Sequence, residues 1–339
     1  MIRLSYQAKL RLHRVLVVLG VLALVLILVW LCWLLWLQRY VVYTRDGVHF
    51  DFNRSTVTLT DKFQGPLERT DELELDIVIS DENAQDASRN NDVITGIYLD
   101  SSLLQNMDDV NKALENLEPG TAVMMDVKSR LGNFYYTTSI NGAELSTAVD
   151  VPAMDQLIST LSQKNVYLIA RVPAFRDSAF AQSNMSCALA LSSGALWTDR
   201  EKYYWLDPNN DTVQSRLIQE CRELREKGFD EVVFADFYFP DSGSISYAAD
   251  MSKDDIMRLA ASRIVTGGAN DRFTVSFEGD ASFPLPQGSS RIYLVDVAPE
   301  RAAATAQQME TAFPDARFVF IAETRDTRFD DFSVLRRLG

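Results

Sequence analysis

Histidine, cysteine and positive net charge are all scarce in this chain of 339 residues, and each scarcity excludes a class of function. The histidines are His13 and His49. A Ser-His-Asp triad or a histidine-ligated zinc site is therefore excluded from residues 50–339. Proton transfer in that part of the chain must use carboxylates, tyrosine, lysine or cysteine.

The three cysteines support neither a zinc site nor a disulfide framework. Cys32 lies in an apolar run, and Cys187 and Cys221 are too few for a site of four thiolates. Cys221 falls on the apolar face of a predicted helix, which favours a free, buried thiol; a disulfide with Cys187 is the alternative. The sequence also lacks the strings GxxxxGK[ST], GxGxxG and GxSxG, which argues against nucleotide-binding and α/β-hydrolase sites. We expect no metal and no cofactor.

The charge balance argues against nucleic acid as a partner. The chain has 33 Lys and Arg against 47 Asp and Glu, a formal net charge of −14. Such a charge repels phosphates and removes the attraction that dominates non-specific DNA binding. With 47% hydrophobic residues, the chain can still bury a substantial core.

One long apolar run is present, at residues 15–37, and it contains no charged side chain. As a helix it reaches about 34 Å, enough to cross the hydrocarbon layer of a membrane. Residues 1–14 carry basic but no acidic side chains, so this tail is expected to stay in the cytoplasm. The run is too long for a cleaved signal peptide, and no small-residue cleavage site follows it. The sequence therefore predicts a single-pass membrane anchor and an extracellular carboxyl-terminal domain.

Residues 38–92 are expected to form a juxtamembrane β segment and an acidic linker. VVYTRDGVHFDF contains two β-rich runs around a glycine-centred turn, which predicts a small hairpin or an edge strand on the main domain. The later stretch DELELDIVISDENAQDASRNND has a second half with too few apolar residues to offset the entropy cost of ordering.

Residues 93–339 alternate between β-rich runs and segments of helical period. The runs are VITGIYLD, TAVMMDV, VYLIARV, EVVFADF, FTVSFEG, RIYLVDV and RFVFIAE. One intervening helix is predicted to begin with Asp207 as N-cap and Pro208 as its first residue. The alternation predicts a parallel sheet, and the length fits a (β/α)8-type TIM barrel. Seven strands are clear, so the barrel is either incomplete or closed by a strand that precedes Val93. An open doubly wound sheet is the rival fold.

Carboxylates stand at the carboxyl end of almost every predicted strand, where TIM barrels carry their active sites. They include Asp126, Asp236 and Glu278. A ring of acids suits glycoside hydrolysis, in which one carboxyl group protonates the leaving oxygen and another attacks the sugar or activates water. The scarcity of histidine is consistent with that chemistry.

Several segments resemble a known family in order and spacing. They are GIYLDSS, MMDVKSRLGNFYY, LSQKNVYLIARVPAFRDSAFA, LWTDREKYYWLDPNNDTV and LREKGFDEVVFADFYFP. The family is described as "Putative glycosyl hydrolase domain", and the resemblance is strongest from Gly96 to Pro240. It implies a glycosidase-type TIM barrel and bacterial, extracytoplasmic work on carbohydrate.

Two segments depart from the family pattern. Where the family reads roughly DVKDD before a glycine, Ser129 and Arg130 replace two acids. Where it reads roughly GFDEIQFDYVRFP, Ala235 replaces a catalytic-looking aspartate and Tyr238 replaces an arginine. Asp236 follows one residue later. Because side chains alternate between faces along a strand, Asp236 is expected to point away from the barrel interior unless a bulge restores it.

The predicted catalytic residues are Asp236 as nucleophile or base and Glu278 as acid. Asp126 is expected to orient sugar hydroxyls together with Arg171, or alternatively to form a structural ion pair with it. The remaining candidates for substrate binding are Lys128, Tyr238, Trp197 and Trp205. The two tryptophans are expected either to stack on sugar faces or to pack as a lid on the barrel.

Three functions are compatible with these features. The leading hypothesis is a membrane-anchored glycoside hydrolase that acts on polysaccharide by metal-free acid/base chemistry. The alternatives are a catalytically inactive barrel that binds carbohydrate or scaffolds the cell envelope, and a small-molecule receptor on an open sheet. The first requires two of the predicted acids to lie within roughly 5 to 10 Å of each other in one pocket.

Overall fold

The structure is a computed structural model that describes residues 41–44, 47–50, 93–115, 117–164, 166–247, 251–283, 291–314 and 317–338. The chain divides into two compact units, residues 1–80 and 81–339. The predicted cytoplasmic tail, membrane anchor and acidic linker lie outside the described residues. Within the described ranges, no helix is long and apolar enough to cross a membrane.

The first unit contributes an antiparallel hairpin, formed by strands Val41–Thr44 and Gly47–Phe50. In its register Val41 lies opposite Phe50 and Thr44 lies opposite Gly47. The hairpin predicted from the glycine-centred turn is therefore confirmed.

The second unit contains a closed barrel of eight parallel strands. They are β1 (Thr95–Leu99), β2 (Ala122–Asp126), β3 (Tyr167–Pro173), β4 (Glu231–Ala235), β5 (Thr274–Glu278), β6 (Arg291–Leu294), β7 (Arg317–Ala322) and β8 (Val334–Arg337). Each strand pairs in parallel with the next, and β8 pairs with β1 to close the barrel. The predicted TIM-barrel architecture is confirmed, and the open doubly wound sheet is excluded.

The closing strand comes from the carboxyl-terminal end of the chain. The prediction that the barrel is incomplete, or is closed by a strand before Val93, is therefore wrong. The strand is short, and two of its four residues are arginines. Arg337 donates hydrogen bonds to Asp100 and Glu323 at neighbouring strand ends. These ion pairs accommodate a strand that lacks the apolar run of the other seven.

In the described ranges of the second unit, six α-helices lie in the connections between strands. They are α1 (Met107–Leu114), α2 (Val151–Ser162), α3 (Ser178–Ser183), α4 (Asp211–Glu226), α5 (Lys253–Gly268) and α6 (Ala302–Ala312). Helix α4 begins three residues later than predicted, because Asn210 and not Asp207 caps it by accepting from the backbone of Thr212 and Val213. Short strands at Asn133–Phe134 and Glu144–Leu145 lie between β2 and α2.

The barrel interior is packed with buried side chains. Its middle layer includes Met124, Ile169 and Val233, all fully buried. At the amino-terminal end of the strands, Arg291 donates to Glu231 at 2.8 Å, and the Tyr167 hydroxyl donates to the same carboxylate. This buried ion pair lies at the amino-terminal end of the barrel, and TIM barrels bind their ligands at the opposite, carboxyl end.

Candidate functional site

A cavity of about 1170 Å³ opens at the carboxyl ends of the barrel strands. Nine acidic side chains line it: Asp100, Asp126, Asp236, Asp241, Asp254, Glu278, Asp280, Asp296 and Glu323. Five basic side chains also line it: Lys128, Arg130, Arg171, Lys253 and Arg337. The acids at the strand ends therefore share one cavity, and they outnumber the basic groups there.

Arg171, near the end of β3, joins two of the acids predicted for the site. Its Nη1 donates to Oδ1 of Asp126 at 3.0 Å, and its Nε donates to Oε1 of Glu278 at 2.5 Å. A further bond of 3.2 Å, from Nη2 to the second oxygen of Glu278, makes that contact bidentate. The ion pair considered as the alternative role for Asp126 and Arg171 is present, and it includes Glu278 as well.

This bridge limits the distance between the two carboxyl groups. The two donor nitrogens of Arg171 are joined through two C–N bonds of about 1.33 Å each, so the bonded oxygens of Asp126 and Glu278 lie no more than about 8 Å apart. Both acidic side chains are only 10% exposed. A separation below this limit is compatible with the carboxyl spacing of glycoside hydrolases.

Tyr98 on β1 completes this cluster. Its hydroxyl donates to Asp126 at 3.0 Å and accepts from Arg171 at 3.1 Å. Burial raises the pKa of Tyr98 far above its usual value, so the hydroxyl keeps its proton at neutral pH. Although burial opposes the charged form of Arg171, the carboxylates of Glu278 and Asp126 raise its pKa, so it stays a cation.

Asp236, the first residue after β4, lines the same cavity. Strand alternation predicts that it points away from the barrel interior, and the structure shows the opposite. Its backbone adopts a left-handed conformation with φ of 51°, which turns the side chain toward the cavity. For a residue other than glycine this conformation costs on the order of 1–3 kcal/mol and is typical of functional sites. A left-handed residue thus has the effect that was expected of a bulge.

Two arginines hold the Asp236 carboxylate, whose side chain is 7% exposed. Arg130 donates from Nε at 2.9 Å and from Nη2 at 3.3 Å, and Nη1 of Arg176 lies 3.7 Å away. Sequence reasoning assigned no role to either arginine. Arg130 was noted only because it replaces an acid of the family pattern, and Arg176 lies beyond the end of β3, where spacing alone does not place it against β4.

Lys128, predicted to bind substrate, borders the cavity but directs its ammonium group into a buried ion cluster. Its Nζ lies 2.8 Å from Asp177 and 3.0 Å from Glu220, and the side chain is 1% exposed. A sugar could reach this ammonium group only by breaking these pairs. The geometry therefore gives Lys128 a structural position in place of a substrate contact.

The predicted aromatic residues divide into buried and exposed members. Trp205 is 1% exposed, and its indole nitrogen donates to Asp199 at 2.9 Å. Trp197 is also buried and packs edge-on against Trp205. Neither ring lines the cavity, so of the two expected roles the structure fits packing on the barrel better than stacking on sugar faces. Tyr238 does line it, is 49% exposed, and packs on the Trp205 ring at a centroid distance of 4.9 Å.

The structure also shows the state of two cysteines and the arrangement of potential metal ligands. Cys187 and Cys221 are both free and buried, so the predicted free thiol is confirmed and the disulfide is not formed. In the part of the chain that the structure describes, no group of three or more His, Cys, Asp or Glu side chains is placed to hold a metal ion.

A family model described as "Putative glycosyl hydrolase domain" matches residues 96–265 of the chain. This segment covers strands β1 to β4, helix α4 and most of α5, and it includes Asp126, Arg171 and Asp236. A search of curated proteins finds no match.

Solved structures with the same fold include three that illustrate its range. A hypothetical protein from Ruminiclostridium thermocellum is 23% identical, with a TM-score of 0.46 over 53% of this chain and 96% of that one. The GH36 α-galactosidase AgaA from Geobacillus stearothermophilus, in complex with stachyose, is 11% identical, with a TM-score of 0.50 over 73% of this chain and 39% of that one. The glycoside hydrolase domain of PelA from Pseudomonas aeruginosa is 10% identical, with a TM-score of 0.44 over 73% and 94%. The chain thus spans well under half of the α-galactosidase, and these likenesses concern the fold alone.

Proposed function

Because the chain belongs to the "Putative glycosyl hydrolase domain" family, we propose that it binds a polysaccharide in the barrel cavity and hydrolyses it by carboxylate acid/base chemistry. The observation that carries this proposal is the convergence of Asp126, Asp236 and Glu278 on one cavity at the catalytic end of a TIM barrel. Glycoside hydrolysis needs two such groups on either side of the scissile bond.

Asp236 is the candidate nucleophile or base. Arg130 and Arg176 hold its carboxyl group in place beside the cavity, where a carboxylate can attack a sugar or activate water. Its left-handed backbone fixes the side chain toward the cavity. Glu278 is the candidate acid and faces the same cavity from β5.

A second candidate function is glycan binding without hydrolysis. The observation that favours it is the bidentate contact between Arg171 and Glu278, because it occupies both oxygens of the carboxyl group that would have to reach the leaving oxygen. In that case Arg171 and its carboxylates would serve as hydrogen-bonding groups for sugar hydroxyls.

Incubation of the detergent-solubilised full-length chain with a panel of cell-wall and dietary glycans separates the two functions. Hydrolysis is expected to release reducing ends, and Asp236→Asn is expected to lower the rate at least 1000-fold while glycan binding remains. The matched control is Asp331→Asn, which alters an exposed acid outside the cavity. Binding without release by the unmodified chain would favour the second function, and the absence of both would contradict the proposal.

The location of the protein is part of the same proposal. Residues 15–37 would anchor it in the cell membrane as a single span, with the amino-terminal tail in the cytoplasm and the barrel outside, where polysaccharide is available. Protease added to intact spheroplasts should then digest the barrel and leave the anchor in the membrane fraction. Protection of the barrel until the membrane is lysed would contradict this orientation.

A further inference from the structure

A second cavity adjoins the first, and we infer that it is a distal subsite for sugar units of an oligomeric glycan. The inference rests on the proposed function and extends it, because it specifies that the ligand is a chain of several units. The second cavity has a volume of about 480 Å³ and lies between the ends of β5 and β6 and the helix α6.

The two cavities are adjacent and share lining residues. Gly279, Asp280, Ser282, Val295 and Asp296 line both of them. A ligand long enough to extend past these shared residues from the first cavity would reach the second.

Two carboxylates stand at the boundary. Asp280 accepts from the backbone nitrogen and the hydroxyl of Ser282 at 2.8 and 2.6 Å, which fixes its orientation. Asp296 adopts a left-handed conformation with φ of 57°, and within the described ranges its side chain has no hydrogen bond or ion pair. Both groups remain able to accept hydrogen bonds from sugar hydroxyls. They also disfavour an anionic ligand here.

The inner wall of the second cavity has the chemistry of a sugar site. Leu294 and Met309, both buried, contribute apolar atoms to its lining. Arg301, Thr305 and Gln308 also line the cavity, and their side chains have no hydrogen-bond partner among the residues that the structure describes. They supply donors and acceptors that are free to contact hydroxyl groups.

The volumes favour an oligomer. Pockets for drug-sized ligands measure roughly 300–1000 Å³. The first cavity already exceeds this range, and the second extends it further. A single sugar would leave most of this space in contact with water, whereas a chain of several units would bury both surfaces.

The test measures how affinity depends on chain length. The full-length chain carrying Asp236→Asn, which prevents consumption of the probes, is titrated calorimetrically with chito-, cello-, malto- and galacto-oligosaccharides of two to eight units. For the series that binds, the dissociation constant should fall at least tenfold between two and six units. The double variant Arg301→Ala/Gln308→Ala should weaken six-unit binding at least fivefold and change two-unit binding less than twofold.

The double variant Gln307→Ala/Glu310→Ala is the matched control, because both residues are exposed on α6 and lie outside the cavity. It should leave the affinity for every chain length unchanged. Equal affinity for two and six units, or an equal loss for both lengths in the Arg301→Ala/Gln308→Ala variant, would overturn the subsite alone. Binding of no oligomer at any length would overturn the proposed function and the subsite with it.

Discussion

Replacement of Lys128 by methionine tests whether this residue is structural or binds substrate. The ammonium group forms ion pairs with Asp177 at 2.8 Å and Glu220 at 3.0 Å, and all three side chains are at most 1% exposed. Methionine keeps most of the apolar contact but removes the charge. Two buried carboxylates then remain, with Arg216, 3.5 Å from Glu220, as the residual cation.

The magnitude follows from the burial of this cluster. Removal of one partner from a buried ion pair costs about 3–5 kcal/mol, because the remaining charge stays desolvated. The contact with Arg216 offsets part of this loss, so we expect Lys128→Met to lower the free energy of unfolding by about 4 kcal/mol at pH 8. That is a large share of the ~5–15 kcal/mol that stabilises a typical protein.

The loss should shrink in acid. Burial raises the pKa of Glu220 above its usual value, and Lys128 and Arg216 lower it. Without Lys128 the pKa of Glu220 rises further. A carboxyl group with a higher pKa in the folded chain takes up protons on folding, so stability increases as pH falls. The difference between variant and unmodified chain should therefore be smaller at pH 5 than at pH 8.

Urea unfolding of both chains at pH 8 and pH 5 measures these differences. Lys227→Met is the matched control, because Lys227 lies 3.7 Å from Asp155 and both side chains are more than a quarter exposed; its cost should stay below about 1 kcal/mol. A loss below about 1 kcal/mol for Lys128→Met, or a loss that grows in acid, would refute the structural role.

Three further changes test the site and its support. Arg171→Met should lower the free energy of unfolding by about 3 kcal/mol in urea titrations and should abolish glycan binding. Arg171→Lys should also fail to bind glycan, because lysine cannot make the bidentate contact with Glu278. Normal binding by either variant would contradict this. Tyr238→Ala should weaken glycan binding about tenfold in calorimetric titrations, whereas Tyr238→Phe, which keeps the ring, should stay within about threefold; equal losses would exclude stacking. Gly132→Ala should lower the free energy of unfolding by more than about 2 kcal/mol, because φ is 95° and the new methyl group would overlap the carboxylate of Asp177. Gly120→Ala, where φ is 86° and the space is open, should lower it by about 1 kcal/mol. Similar unfolding midpoints for the two variants would show that the site near Asp177 can relax.

The barrel could be predicted from the sequence because seven of its strands are apolar runs, and acids stand at the ends of almost all of them. The eighth could not, since β8 contains as many arginines as apolar residues. Its side chains are stabilised by acids that are remote in sequence: Asp100 and Arg337, for example, are 237 positions apart. Local composition does not report such pairs.

The sequence predicts which residues belong to the candidate site better than it predicts the contacts that they make. The strand-end rule brought Asp126 and Glu278 to one cavity, but it does not predict that Arg171 lies between them. The backbone conformation of Asp236 could not be predicted either. The rule that side chains alternate between the two faces of a strand assumes regular strand geometry, and a single left-handed residue reverses the direction that the rule predicts. Lys128 shows the complementary limit: the residue type suits a sugar contact, yet its partner Glu220 lies 92 positions away on α4.

The arginines of the cavity do not remove its negative charge. Arg171 is shared between Asp126 and Glu278, so this cluster keeps one excess carboxylate, and Arg337 is shared between two other acids in the same way. An arginine in this position separates two carboxylates at short range and lets both remain close to a ligand. Because the transition state of glycoside hydrolysis develops positive charge on the sugar ring, an excess of carboxyl groups over basic groups suits that transition state better than it suits the neutral substrate. The same excess gives a neutral glycan no comparable advantage in the ground state, so the charge balance supports the proposed hydrolysis more than it supports binding alone.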